Sequence, residues 1–464
     1  MKKYITMLAA MLLCAAVSAP AFAITYFPGV TGEMTDPSYW SSNQDLLATA
    51  EEIMERNEAA LSSEGTHLAN LKALPESFDG ALENEKALQQ ARENKAAYLG
   101  WTFDSSGKAL EAADFDALIA ACDDPGAEGE QSVRYAIATE RTQLMIYPTD
   151  KPILDDPEDL DFDYRYNTAV RLNEPLLIYT TSADGQWYNA RSTCYTGWVK
   201  AGDVAICADR DEWLSAWDYP ADRALVVYGD RLYTEDSNFA PETANRLLTM
   251  GTTLELAAPE APDALIGNRV TWHNHVVYFP VRGEDGTYRK QMALISENRK
   301  VHVGFLPLTS GNLASVALEA LGDVYGWGGM LRSDDCSGYV RNIYKCFGLE
   351  LARDSGWQMA MPVAGMDISG MSDDEKRAVF DRLPLGAVLF FKGHEMLFLG
   401  SHDGQYYVVN SVSSMLDPWD NAKRQRVRGT VITTLDAQRA NGNAWITELN
   451  YVNIPYLGNE EGTD

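Results

Sequence analysis

Tyr325-Gly326-Trp327-Gly328-Gly329-Met330-Leu331-Arg332-Ser333-Asp334-Asp335-Cys336-Ser337-Gly338 is the stretch on which the reading of this 464-residue chain turns. A glycine-rich turn delivers a cysteine onto the first turn of a helix. Val340, Ile343, Tyr344 and Phe347 spell the apolar face of that helix at spacings of three and four, and Gly348 ends it. A thiol at a helix start meets unpaired N–H groups and the positive end of the dipole, which favour thiolate. The same N–H groups can receive the oxyanion formed when sulfur attacks a carbonyl. Cys346, further along the same helix, reads instead as a buried structural thiol.

A nucleophilic cysteine needs a base and a third group to orient that base. Only His394 and His402 follow Cys336 in the chain. His402 falls in Ser401-His402-Asp403-Gly404, a hairpin tip, whereas His394 opens a strand. Pairing Ser401 with Gln405 across that turn sets Asn410 opposite Met396, on the face of His394 and diagonal to it. A slip of one residue would turn one partner away. Strands are expected at Ala387 to Phe391, Glu395 to Gly400, Tyr406 to Ser411 and Arg428 to Thr433.

Outward from this centre, the length calls for two to four domains, and 46% hydrophobic residues exclude wholesale disorder. A net charge of -29 disfavours nucleic acid and anionic membrane as partners. Residues 1–23 read as a cleaved signal peptide: Lys2 and Lys3, an apolar run from Tyr4 to Val17, then Ala21-Phe22-Ala23. Export to a periplasm, a cell wall or the extracellular space is therefore expected. Cys14 lacks the small residue that precedes a lipidated cysteine, and no later stretch is long enough to span a membrane, so no membrane anchor is expected. The mature chain holds Cys122, Cys194, Cys207, Cys336 and Cys346, an odd set in which at least one thiol stays unpaired within the chain. Cys194 and Cys207 either bridge or remain buried thiols.

The fold class expected is a multidomain α+β protein. Residues 24–132 read as a helical N-terminal clip, with helices over Gln44 to Asn57, Leu82 to Leu99 and Asp114 to Cys122. Short alternating strands follow in two runs, residues 133–216 and 223–305, each in the style of a small β-barrel. The acidic run Asp155-Asp156-Pro157-Glu158-Asp159-Leu160-Asp161 lacks a calcium-loop spacing and reads as a solvated loop. His273 and His275 share a strand face without a companion ligand, so neither metal nor cofactor is expected. Thr309-Ser310 starts the helix that precedes the cysteine block, and residues 306–464 form the last domain.

The Tyr325 to Gly329 block, Asp335-Cys336-Ser337-Gly338, Leu351-Ala352-Arg353-Asp354-Ser355, and Gly386-Ala387-Val388-Leu389-Phe390 before His394 occur in the order found in NlpC-type papain-like cysteine peptidases, which this C-terminal part resembles. The two upstream runs are similar to the paired bacterial SH3 domains of the γ-D-glutamyl-L-diamino-acid endopeptidase subgroup, and the helical start is similar to its clip. The resemblance implies Cys336 as nucleophile, His394 as base and then acid, Asn410 as the third polar position and Tyr325 beside the oxyanion. It further implies that Ser337, Asp354 and Ser355 bind substrate, together with Glu174 and Tyr195 from the first SH3 domain. The implied substrates are murein peptides such as L-Ala-γ-D-Glu-diamino acid with a free N-terminal amine, cleaved through a thioester, as in murein recycling. After His394 the family usually has Val-Gly, where this chain has Glu395-Met396. Two alternatives stand beside this reading: a non-catalytic peptidoglycan-binding protein, and an acyl transferase on the same fold.

Overall fold

The computed structural model describes residues 24–261 and 263–459; the signal segment expected at 1–23, with Cys14, lies outside them. The N-terminal region carries helices Ala50–Ser62, Gly80–Tyr98 and Ala112–Ala121. The first begins six residues later than the periodicity suggested, because Thr49 caps it. The Glu52 N–H donates to the Thr49 hydroxyl at 3.2 Å, and the Thr49 N–H donates to the Glu52 carboxylate at 2.6 Å.

Three larger antiparallel sheets follow. Seven strands between Arg134 and Ile206 form the first, and five strands between Ala224 and Val303 form the second. The third has six strands in the order Ala364–Asp367, Tyr451–Ile454, Val388–Phe391, His394–His402, Gln405–Asp417 and Asp420–Thr434.

The third sheet is buried on both faces. On one face Leu397, Leu399 and Val409 join Val340, Ile343 and Tyr344 of the cysteine helix in a core that also takes Ile53 and Ala60 from the N-terminal region. On the other face Met396, Phe398 and Val408 pack with Phe380 and Trp445. Alternation along each strand produces this two-sided burial. Because the N-terminal region contributes to the first core, it is an integral part of the fold around the site.

The hairpin that carries His394 and Asn410 is longer than expected, running on to Asp417 and back from Asp420. Its tip pairs His402 with Gln405, one step from the expected Ser401–Gln405 pairing. A bulge at Leu399, beside Gly400 at φ 145°, then shifts the register so that Phe398 faces Val408 and Leu397 faces Val409. Continued by one residue, that register sets Met396 opposite Asn410.

The first sheet holds the cysteine loop from outside. Arg141 Nη2 donates to the Ser333 carbonyl at 2.9 Å, and Gln143 Nε2 to the Gly329 carbonyl at 2.8 Å. Gly329, at φ 85°, lies so close that a Cβ there would sit 2.6 Å from the Ala169 side chain. That approach, together with the left-handed backbone, accounts for the glycines.

The acidic run is not simply solvated. Asp156 pairs with Arg426 at 3.0 Å and Asp159 pairs with Arg428, so the loop is strapped to the long hairpin. Phe162, at its end, stacks on Trp327 with centroids 4.3 Å apart.

Cys122, Cys194, Cys207, Cys336 and Cys346 are all free and buried, so Cys194 and Cys207 do not bridge. His273 is bonded to Glu297 at 2.7 Å, and no cluster of potential metal ligands occurs among the described residues. No helix among the described residues is long and apolar enough to cross a membrane.

Candidate active site

Cys336 opens the helix Cys336–Lys345, and its preceding residue, Asp335, is the N-cap. Asp335 does more than cap. Its Oδ1 accepts the Gly338 N–H at 2.8 Å and Arg353 Nη1 at 3.0 Å; its Oδ2 accepts the Gly328 N–H at 2.9 Å and Arg353 Nη2 at 2.6 Å. One carboxylate thus ties the glycine turn, the helix start and a buried guanidinium together, in the bidentate geometry that makes such pairs strong. Arg353 also donates through Nε to the Thr168 hydroxyl of the first sheet at 2.7 Å, and through Nη1 to the Ser337 hydroxyl at 3.0 Å. The reading of the sequence took Asp354 and Ser355 from this block and passed over Arg353. Nothing in the sequence marks Arg353 as buried, so its need for an acid was not readable there.

His394 and Asn410 come together as expected, with His394 Nε2 3.1 Å from Asn410 Oδ1 and both residues buried. They lie, however, on the face of the sheet that carries Phe391, Met396 and Val408, away from the cysteine helix, so the imidazole does not line the cleft over Cys336. Asn410 Nδ2 faces the Val431 carbonyl and the Thr433 hydroxyl, each at 3.5 Å, which orients its oxygen toward the ring. Nε2 therefore carries the proton, and Nδ1 is left with the lone pair that a base requires. The ring is flanked by Phe391 at 5.3 Å and Trp445 at 5.7 Å between centroids. Burial pushes the imidazole down to about 4, so it is neutral at pH 7. His402 stands at the hairpin tip, half exposed.

The Cys336 sulfur lies against the backbone N–H of Glu395, the residue next to His394. No hydrogen bond between the sulfur and the imidazole occurs among the described residues. Burial pushes the thiol up, and the charges of Asp335 and Glu395 push it the same way, against the Glu395 N–H and Arg353. The helix-start argument for a resting thiolate is outweighed here: the cap that organises the helix is itself an anion. At rest the thiol and the imidazole are both neutral and lie on opposite sides of the sheet.

Glu395 is the unexpected neighbour. It is wholly buried, on the strand face that packs against the cysteine helix, and neither carboxylate oxygen has a partner among the described residues. Burial, reinforced by Asp335, holds its carboxyl well above the usual range.

A cleft of about 280 Å³ opens over Cys336. Tyr325, Ser337, Asp354, Ser355 and Tyr195 all line it. The Tyr195 hydroxyl donates to Asp354 at 3.5 Å, and burial raises the Asp354 carboxyl. Burial also pushes the Tyr325 phenol well up, leaving it a proton donor. Glu174 is not among the lining residues. The turn through Asn173, at φ 67°, folds its carboxylate back onto the Arg171 N–H at 2.9 Å and the Arg171 guanidinium at 3.4 Å. An arginine three residues earlier was the signal that this acid is engaged. Lining residues that the sequence reading did not single out include Tyr98 of the N-terminal region, Tyr164, Tyr166 and Trp327.

Residues 152–200 match the SH3 domain of the SH3b1 type, and residues 322–416 match the NlpC/P60 family. Among solved structures the chain is similar to an NlpC/P60 endopeptidase from Photobacterium damselae subsp. piscicida, with a TM-score of 0.73 and 16% identity over 94% of this chain and 99% of that one. It is also similar to an NlpC/P60 family protein from Bacillus cereus ATCC 10987, with a TM-score of 0.44 and 18% identity over 69% of this chain and 98% of that one. No curated protein matches. The C-terminal domain, with its cysteine at a helix start, thus matches the NlpC/P60 family, and it is carried with a segment that matches the SH3 domain of the SH3b1 type.

Proposed function

We propose that the protein is a cysteine endopeptidase that cleaves the γ-D-glutamyl to diamino-acid bond of murein peptides with a free N-terminal L-Ala, after export through the segment at 1–23, and serves murein recycling. The observation that carries this is the corner formed by Asp354 and Tyr195 in the same cleft as Cys336.

Asp354 lacks a direct ion-pair partner among the described residues, because the guanidinium of neighbouring Arg353 is bound to Asp335. A carboxylate so placed suits a substrate ammonium, and an acylated amine would leave it buried and unpaired. Losing such a contact costs about 2–5 kcal/mol, or on the order of 30- to several-thousand-fold in kcat/KM. Comparing L-Ala-γ-D-Glu-L-Lys with its N-acetylated form tests this; equal rates would defeat it.

The proposed reaction requires the imidazole, held here on the far face of its sheet, to turn to the cysteine side, where Nδ1 of His394 takes the Cys336 proton as sulfur attacks the γ-glutamyl carbonyl. The oxyanion is received at the helix start and by the Tyr325 hydroxyl. His394 then gives the proton to the leaving amine, and water activated by the same nitrogen hydrolyses the thioester. Asn410 keeps the imidazole in the tautomer with Nδ1 free. A non-catalytic peptidoglycan-binding reading draws on two observations, the buried Glu395 beside the sulfur, which opposes thiolate formation, and the His394 ring on the opposite face of the sheet. Prompt alkylation of Cys336 by iodoacetamide near neutral pH favours the enzyme, and sluggish alkylation favours the binder.

A further inference from the structure

The cleft has two unlike groups of lining residues. One is the polar corner of Asp354, Tyr195 and Ser355. The other is a wall of rings contributed by three parts of the chain: Tyr98 from the helix Gly80–Tyr98, Tyr164 beside the first sheet, and Trp327 from the cysteine loop. These rings form a continuous set, with Tyr98 and Tyr164 5.4 Å apart and Tyr164 and Trp327 5.7 Å apart between centroids.

The charges around the cleft are one-sided. Its lining cation, Arg353, is bound at both guanidinium nitrogens by Asp335, which leaves Asp354 as the uncompensated charge. A side-chain carboxylate entering this cleft finds no uncommitted cation among the described lining residues. An ammonium finds ring faces whose quadrupoles attract it. Trp327 adds a buried Nε1–H without a partner among the described residues, suited to a substrate carbonyl or main-chain carboxylate.

We propose that the aromatic wall is the leaving-group subsite, and that it selects a diamino acid whose side chain ends in a bare ammonium, of the lysine or ornithine class, over one that bears a side-chain carboxylate. This rests on the peptidase reading above: with the amino end of the peptide at Asp354 and Tyr195, the wall is left for the residue beyond the scissile bond. Aromatic rings suit a long flexible cation because they supply attraction without a fixed hydrogen-bond geometry. The selection is accordingly graded rather than absolute.

Three tripeptides of the form L-Ala-γ-D-Glu-X test this, with X as L-lysine, L-norleucine or L-α-aminoadipate, of side-chain charge plus one, zero and minus one. The expected order of kcat/KM is lysine, norleucine, aminoadipate, with about two- to thirtyfold between the first two, the range of a cation over one or two rings. Tyr98→Leu and Tyr164→Leu each move the lysine-to-norleucine ratio toward one, and Phe at either position restores it. A ratio of two substrates within one variant does not depend on how much protein is folded. Equal rates for lysine and norleucine in the wild type, or a ratio untouched by both leucine variants, would overturn the selection while leaving the peptidase intact. Cleavage of none of the three would overturn both.

Discussion

The loop that delivers Cys336 and the strand that carries His394 and Glu395 meet with Glu395 on the cysteine side and His394 on the far face, and the two sides are finished differently. On the loop side, Asp335 is a buried carboxylate with a partner for each oxygen: two backbone N–H groups and the two ends of Arg353. On the strand side, Glu395 is a buried carboxyl with none among the described residues. Both acids oppose thiolate formation at Cys336, yet Asp335 builds the site and Glu395 loads it. A buried acid contributes to structure through its partners rather than through its charge.

Removing the partnered acid tests the comparison most severely. Asp335→Ala strands Arg353 as a buried, uncompensated cation and uncaps the helix, so a loss of about 3–5 kcal/mol in chemical denaturation is expected. A loss under 1 kcal/mol would mean that the pair is not a keystone. Next in size, Asn410→Ala frees the imidazole to rotate and change tautomer, with kcat/KM expected to fall roughly 10²- to 10⁴-fold. A loss of stability without loss of rate would make Asn410 structural only.

Glu395→Val should act in the opposite direction to Asp335→Ala. It removes an unpartnered buried acid, stabilising by roughly 1–3 kcal/mol, and speeds alkylation of Cys336. Because the folded-state pKa of Glu395 is raised, the wild type keeps its full stability below the unfolded value near 4.3 and loses it as pH rises. The gain from the valine variant should therefore grow with pH; a gain independent of pH would show that Glu395 ionises freely. His394 has the reverse sign. Its depressed value of about 4 means stability is complete above the unfolded value near 6.5 and falls away through about 4, and the acidic limb of kcat/KM should lie near 4. The smallest effect belongs to the strap. Arg426→Ala breaks an exposed pair with Asp156 and should cost at most about 1 kcal/mol, less at high salt.

Much of this site was legible in the chain because its parts are local. The helix start at Cys336, the stop at Gly348 and the exposed tip at His402 follow from spacing and turn chemistry alone. The meeting of His394 with Asn410 was reached through two offsets that cancel: the tip pairs one residue further out than expected, and the bulge at Leu399 restores the register. A bulge beside Gly400 was readable only in hindsight. Arg353 and Glu395 were not read, because each depends on which side chain lies across a fold contact, and no periodicity encodes that; the engagement of Glu174 by Arg171, three residues before it, was local and overlooked. The wall of Tyr98, Tyr164 and Trp327 is the extreme case, assembled from positions more than two hundred residues apart. Thr49 and Glu52 were the reverse, a local capping signal present in the sequence and overlooked.

The proposed service of Cys336 by His394 is tested most directly by digesting L-Ala-γ-D-Glu-L-Lys with the wild type, Cys336→Ala and His394→Ala, and identifying products by mass. The expected result is L-Ala-D-Glu and free lysine from the wild type alone. Full hydrolysis by either variant, with the protein shown to be folded, would contradict a thiol served by that imidazole.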